Sequence, residues 1–276
     1  MSFSSIQSLT AKQIMLYASG VLFFFAGISM LLIATQLNQA WMVNIHANSL
    51  VPDWTWAFFN VFGDAWVVLL VLLLSERRPG AVSSWAFKSW VLGAVVVQLI
   101  KHSLQMPRPA SVIELSQLSL IDHPPLIGAS MPSGHAFAAV SCALIFCVVM
   151  QSKRVSRIYM APVVLLALLA SWSRVAVGAH WPADVFAAIG LASFVVGLAF
   201  VWEQKKPWVN FLSQSKGQYL LILIHVLIAI HLLTLHSDFV IARYFQFVLA
   251  VLSVLKAIDL IQARTNFDLT WWKHKS

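Results

Sequence analysis

Charge is what this sequence has least of. Only 10% of its 276 residues are Asp, Glu, Lys or Arg, against about a quarter in a soluble domain. A chain so poor in charge cannot cover a globule with water-facing groups, which excludes an ordinary soluble fold. Cysteine is almost as scarce: Cys142 and Cys147 fall in one apolar run, which excludes a disulfide framework and a thiolate metal centre and leaves two small buried hydrophobes. No block of like charge occurs. The net charge of +8 is scattered over short loops rather than gathered in a stripe, so it reads as membrane orientation and not as a nucleic-acid surface. Internal repeats, low-complexity tracts and a separate soluble domain are also missing.

What the chain has in abundance is apolar length. Hydrophobic residues make up 60% and the mean hydropathy is +0.81. A helix needs about 20 residues to cross the hydrocarbon of a bilayer, and eight stretches qualify or nearly do: 14–36, 56–75, 87–100, 136–150, 158–172, 185–202, 219–235 and 240–261. The shorter ones are expected to extend into their polar flanks. The first is too long for the apolar segment of a signal peptide and lacks a small-residue cleavage site, so it is expected to stay as a helix. The fold class expected is all-α, a polytopic transmembrane helical bundle.

With the N-terminus on the cytoplasmic side, eight spans sort the basic residues unevenly. Lys12, Arg77, Arg78, Lys88, Lys153, Arg154, Arg157, Lys205, Lys206, Lys216, Arg264, Lys273 and Lys275 fall on that side, 13 of the 18 cations. Lys256 can snorkel to it. Lys101, Arg108, Arg174 and Arg243 remain on the other. This is the asymmetry of a positive-inside protein with both termini cytoplasmic. Three of the four exceptions lie in loops that also carry His, Pro, Ser and Gly, so they ask for a functional reason.

Those loops hold three motifs, all emerging on one face. The first runs from Lys101 to Arg108 and Pro109; the second is Pro132, Ser133, Gly134 and His135; the third runs from Ser173 and Arg174 through His180 to Asp184. Lys101 offers a point charge, and Arg108 and Arg174 offer planar forks of donors, the chemistry that binds phosphate. Ser133 stands at an N-cap position, and Gly134 lets an anion approach the free N–H groups of a helix start. Pro182 suits the first turn of the sixth span. Asp184 then falls one helical turn after His180, close enough to hydrogen-bond its imidazole, fix the tautomer and make the other nitrogen more nucleophilic. Each element alone has an ordinary explanation: a snorkelling lysine, a helix cap, a polar helix end, a structural hydrogen bond. Three cations, two histidines and a carboxylate on a face otherwise almost free of positive charge do not.

The ordered pattern Lys-x6-Arg-Pro, Pro-Ser-Gly-His, Ser-Arg-x5-His-x3-Asp resembles the three-part signature of the type 2 phosphatidic acid phosphatase (PAP2) superfamily, in its bacterial integral-membrane lipid phosphatase branch, with every signature position matched between Lys101 and Asp184. The resemblance implies a six-helix catalytic core over residues 1–202, followed by a cytoplasmic loop, two additional helices and a short tail over 203–276. It implies a lipid phosphate or diphosphate hydrolase with no cofactor and no metal, in which His180 attacks phosphorus, Asp184 orients it and His135 acts as general acid. Lys101, Arg108, Ser133, Gly134 and Arg174 would hold the phosphate. The setting implied is a bacterial inner membrane with a periplasmic active site, and the partners are the bilayer and a membrane lipid phosphate, not nucleic acid. Undecaprenyl diphosphate, phosphatidylglycerol phosphate, phosphatidic acid and lipid A phosphates all fit. Two rivals stand beside this reading: a phosphotransferase that moves phosphate from a lipid diphosphate to another lipid, and a non-catalytic lipid binder or transporter.

Three features stay outside the motifs. Residues 110–131 are rich in apolar side chains (Val112, Ile113, Leu115, Leu118, Leu120, Ile121, Leu126, Ile127) and either lie on the bilayer or pack as a surface loop. A Gly63-Asp64 pair lies in the second span and is similar to a pair found in bacterial members, with helix packing or orientation as the only role assignable to Asp64. His225, His231, His236, Lys256 and Asp259 in the last two spans are either packing groups or contacts to a partner or acceptor.

Overall fold

A computed structural model describes residues 11–273, and side chains within 14–263. It contains α1 (Ala11–Ala34), α2 (Leu37–Ala47), α3 (Asp53–Phe62), α4 (Ala65–Leu74), α5 (Ala81–Leu104), α6 (Gly134–Ser152), α7 (Met160–Ala176), α8 (Pro182–Lys205), the single turn α9 (Val209–Ser213), α10 (Ser215–Thr234) and α11 (Val240–Lys273). No strand occurs among the described residues. Seven helices (α1, α5, α6, α7, α8, α10 and α11) are long and apolar enough to cross a bilayer, and α3 with α4 form a pair bent by 59° that passes the same test jointly. The protein is an all-α, multi-pass membrane bundle.

Side-chain contacts fix which helix ends lie together. α1 runs antiparallel to α8: Phe25 stacks on Phe186 at 6.2 Å, and Ser29 Oγ donates to Ala183 O at 3.0 Å. The C-terminal end of α1 therefore meets the start of α8, at the end of the bundle that holds the three motifs. α2 lies across that same end. Asn38 Oδ1 accepts from Ala183 N at 2.9 Å, His46 Nε2 donates to Val175 O at 3.0 Å and His46 Nδ1 accepts from Ser119 N at 3.0 Å. The His46 ring must be neutral to do both, and burial lowers its pKa below the ordinary 6.5. From there α3 and α4 carry the chain to the far end, where Glu76 caps α5 by accepting from Gly80 N at 3.0 Å and Ser83 N at 2.8 Å.

The far end gathers the loops with Arg77, Arg78, Lys153, Arg154, Arg157, Lys205, Lys206 and Lys216. The side chains of Lys12, Arg264, Lys273 and Lys275 lie outside the described residues. Lys88 is not the cation at the cytoplasmic edge of a span that the sequence suggests. α5 begins at Ala81, six residues before the expected edge, so Lys88 sits inside the helix, fully buried and paired with Glu203 at 2.5 Å. Trp202 and Trp208 cover its ammonium at 4.9 and 5.0 Å.

Two further departures from the sequence reading matter. The second span is broken at Gly63-Asp64, where Asp64 caps α4 by accepting from Trp66 N at 2.8 Å and Val67 N at 3.2 Å. Periodicity alone cannot see that break, because the flanking residues are apolar on both sides. The 110–131 loop divides: Ile113, Leu118 and Ile121 are buried under it, while Val112, Leu115, Leu126 and Ile127 face outward. Finally, α10 and α11 form a hairpin that packs on α4 through Leu69, Leu70, Leu73, Ile224, Ile228 and Leu232. Near the far end Lys256 donates to Arg77 O at 2.6 Å and pairs with Asp259 at 3.2 Å. His225 Nδ1 donates to Ser253 Oγ at 3.1 Å inside the hairpin.

Candidate active site

The motifs converge because helix ends hold them. Lys101 lies in the last turn of α5, Ser133 is the N-cap of α6, Arg174 ends α7, and Asp184 is in the first turn of α8. Ser133 Oγ accepts from Ala136 N at 3.3 Å, satisfying one of the orphan N–H groups of the helix start. A Cβ placed on Gly134 would meet nothing within 4 Å, so the backbone there is open to a ligand.

His180 and Asp184 are the most constrained pair. Pro182 stands in the first turn of α8, and the Asp184 carboxylate reaches back to accept from Trp181 N at 3.0 Å. The same Oδ2 atom accepts from His180 Nδ1 at 3.1 Å. Ser130 Oγ also donates to it and lies 3.3 Å from His180 Nδ1. With Nδ1 fixed as donor, Nε2 is the nitrogen with a lone pair. Burial, and then the charges of Arg174, Arg108 and Lys101, push the His180 imidazole well below its ordinary pKa of 6.5. At neutral pH it is an uncharged nitrogen base surrounded by cations.

The cations are positioned differently from one another. Lys101 Nζ donates to Ala129 O at 2.8 Å and Ser130 O at 2.9 Å. Arg108 donates from Nε to Ile127 O at 3.1 Å and from Nη1 to Ala179 O at 2.7 Å. Both therefore brace the loops that carry Ser130 and His180 while bordering a cavity of about 710 Å3 together with Gln98 and Gly128. Arg174 gives Nη1 to Asn60 Oδ1 of α3, and its Nε is buried with no partner. A buried donor without an acceptor costs about 1–3 kcal/mol, and an anion seated beside Arg174 would remove that cost. Asp184 Oδ1 is likewise buried and unpaired.

His135 begins α6 and no hydrogen bond holds its ring. It packs instead on the break in the second span: a Cβ added to Gly63 would lie 3.0 Å from His135 Cβ and 3.3 Å from Cδ2. Only glycine lets the helix come this close. One residue on, Asp64 Oδ2 accepts from His231 Nε2 of α10 at 3.1 Å. Gly134, His135, Asp64 and His231 share one cavity of about 320 Å3 whose remaining wall is mainly apolar, with Trp90 and Phe137. A more exposed cluster of His123, His236 and Asp238 lies at the same end of the bundle, with His123 Nε2 2.9 Å from Asp238.

Sequence reasoning missed Asn60, Ser130 and the placement of Asp64 and His231. Asn60 and Asp64 had a signal, since a polar residue within an apolar span is a functional candidate. Ser130 had none beyond its place three residues before Ser133.

Residues 84–208 match the model of the PAP2 superfamily. An undecaprenyl-diphosphatase of Sulfolobus acidocaldarius is 28% identical over 152 residues, which cover 54% of this chain and 70% of that one. The crystal structure of Aquifex aeolicus LpxE superposes with a TM-score of 0.50 and 26% identity, over 60% of this chain and 95% of the other. The matched segment contains Lys101, Arg108, Ser133, His135, Arg174, His180 and Asp184, and over that stretch the chain is similar to the PAP2 superfamily.

Proposed function

We propose that this protein is a membrane phosphatase that hydrolyses a lipid phosphate or diphosphate through a phosphohistidine at His180. The observation that carries the reading is the His180–Asp184 contact of 3.1 Å, which leaves a neutral Nε2 among three cations. Nε2 attacks phosphorus; the N–P bond forms as the P–O bond to the leaving group breaks, and His135 gives its proton to that oxygen. Water then attacks phosphorus, the N–P bond breaks and the water's proton passes to His135. Lys101, Arg108, Arg174, Ser133 and the N–H groups at Gly134 hold the nonbridging oxygens and balance their charge in the transition state. In this scheme the three cations take the charge-balancing part that metal ions play in other phosphoryl transfers, so turnover is metal-independent.

The name of the Sulfolobus relative favours a polyprenyl diphosphate as substrate. The gathering of cations at the far end favours a periplasmic site, with both chain ends cytoplasmic, in a bacterial inner membrane. The test is phosphate release in detergent from undecaprenyl diphosphate and from phosphatidic acid with excess EDTA present. Turnover should persist, and His180→Ala should remove at least about 3 kcal/mol of transition-state stabilisation, roughly a hundredfold in rate. Unchanged turnover in that variant rules out His180 as nucleophile.

A further inference from the structure

The matched family segment ends at residue 208, yet one side chain from beyond it reaches the centre. His231, near the end of α10, bonds Asp64 at 3.1 Å. Asp64 already spends Oδ1 on two backbone N–H groups of α4, so its Oδ2 is the atom left for the imidazole. The two together set the position of the Gly63-Asp64 break, and the backbone of that break is what the His135 ring rests on. No hydrogen bond to protein holds His135 directly. A proton donor in catalysis must be placed to within tenths of an ångström of the oxygen that it protonates. Here that placement depends on the packing behind the ring.

We propose that Asp64 and His231 are positioning residues for His135: the hydrogen bond between α4 and α10 fixes the helix break that supports the acid, so the C-terminal hairpin is a working part of the catalytic unit. This rests on the reading of His135 as general acid given above. Several observations point to the same role. His231 is the one side chain of α10 that lines the cavity shared by His135 and Gly134. The hairpin packs along α4, which holds that helix against the core. Phe58 and Phe62 of α3 pack on Phe245 of α11 at 5.3 and 4.7 Å, so the other side of the break is clamped by the same hairpin. Two short helices joined at a bend have no continuous hydrogen-bond ladder to keep their angle, and these external contacts supply the constraint.

Leaving-group chemistry separates a positioning role from a merely structural one. A lipid alkoxide leaves only if protonated, whereas a lipid phosphate leaves with little help. A misplaced acid therefore penalises a lipid monophosphate more than a lipid diphosphate. The experiment measures kcat and KM on phosphatidic acid and farnesyl diphosphate for the full-length wild type, His135→Ala, Asp64→Asn, His231→Ala and His231→Gln, each as monodisperse protein in detergent. His231→Ala and Asp64→Asn are expected to lose about tenfold in kcat on phosphatidic acid and less than about threefold on farnesyl diphosphate, with KM nearly unchanged, a fraction of what general acid catalysis contributes. His231→Gln retains an N–H donor for Asp64 and should recover most of the loss. It also keeps the test alive should the alanine variant fail to fold. Equal losses on both substrates in His231→Ala and Asp64→Asn, with His135→Ala still selective, overturn the positioning role and leave the acid assignment standing. Equal losses in His135→Ala overturn the acid assignment, and the positioning role with it.

Discussion

Two carboxylate–imidazole pairs flank this centre, and they are built in opposite ways. Asp184 and His180 are four residues apart, held by the first turn of α8, and meet at 3.1 Å. Asp64 and His231 are 167 residues apart, held by α4 and α10, and also meet at 3.1 Å. Each aspartate accepts backbone N–H groups at a helix N-terminus. The difference lies in what the imidazole faces. His180 is 4% exposed and faces Lys101, Arg108 and Arg174; His231 is 31% exposed and faces a mainly apolar cavity. The first arrangement suits a nucleophile for an anion, and the second suits a brace.

The largest effect expected from breaking this comparison is at Asp184. Asp184→Asn keeps the shape but offers Nδ1 a weaker acceptor, and kcat on any lipid phosphate should fall about a hundredfold or more with KM little changed. A fall no larger than that of Asp64→Asn would mean that the two pairs are equivalent. Next comes Gly63→Ala, which puts a methyl group 3.0 Å from His135 Cβ. The ring must shift by a few tenths of an ångström, and kcat should drop about tenfold, read from the same phosphate-release assay. Ser130→Ala removes one hydrogen bond from the Asp184 carboxylate, worth about 1 kcal/mol, and should cost about fivefold in kcat.

The smallest effect concerns His46, which ties α2 to the centre. Its pKa is lowered in the folded protein, so the neutral form belongs to the fold. Its contribution to stability is complete above the unfolded value near 6.5 and is lost as pH falls below that toward the lowered value. Thermal unfolding followed from pH 7.5 down to pH 5 should show a decline that His46→Gln flattens, by about 1–3 °C. An identical decline in the variant assigns it to other groups.

The contrast between the pairs also explains what was legible in the sequence. Motif three could be read because its chemistry is local: Pro182 starts a helix, and helical spacing brings Asp184 to His180. Hydropathy gave the bundle for a similar reason, since each span must satisfy its own backbone. The second pair was not legible. In the sequence Asp64 is a carboxylate inside an apolar span and His231 an ionisable group in a distant one. Their meeting depends on how α10 packs against the break at Gly63, and no spacing encodes that. Lys88 misleads for the converse reason: its partner Glu203 lies 115 residues away, so in the sequence it reads as an orienting cation at the edge of a span.

The central claim is that His180 carries the phosphoryl group. Rapid-quench labelling with undecaprenyl diphosphate bearing a labelled terminal phosphate tests it directly. A protein-bound label should appear in the wild type, survive base and be lost in acid, as a phosphohistidine does. It should be absent from His180→Ala. Label retained in that variant, or a wild type that turns over without any label in the burst, would contradict the account.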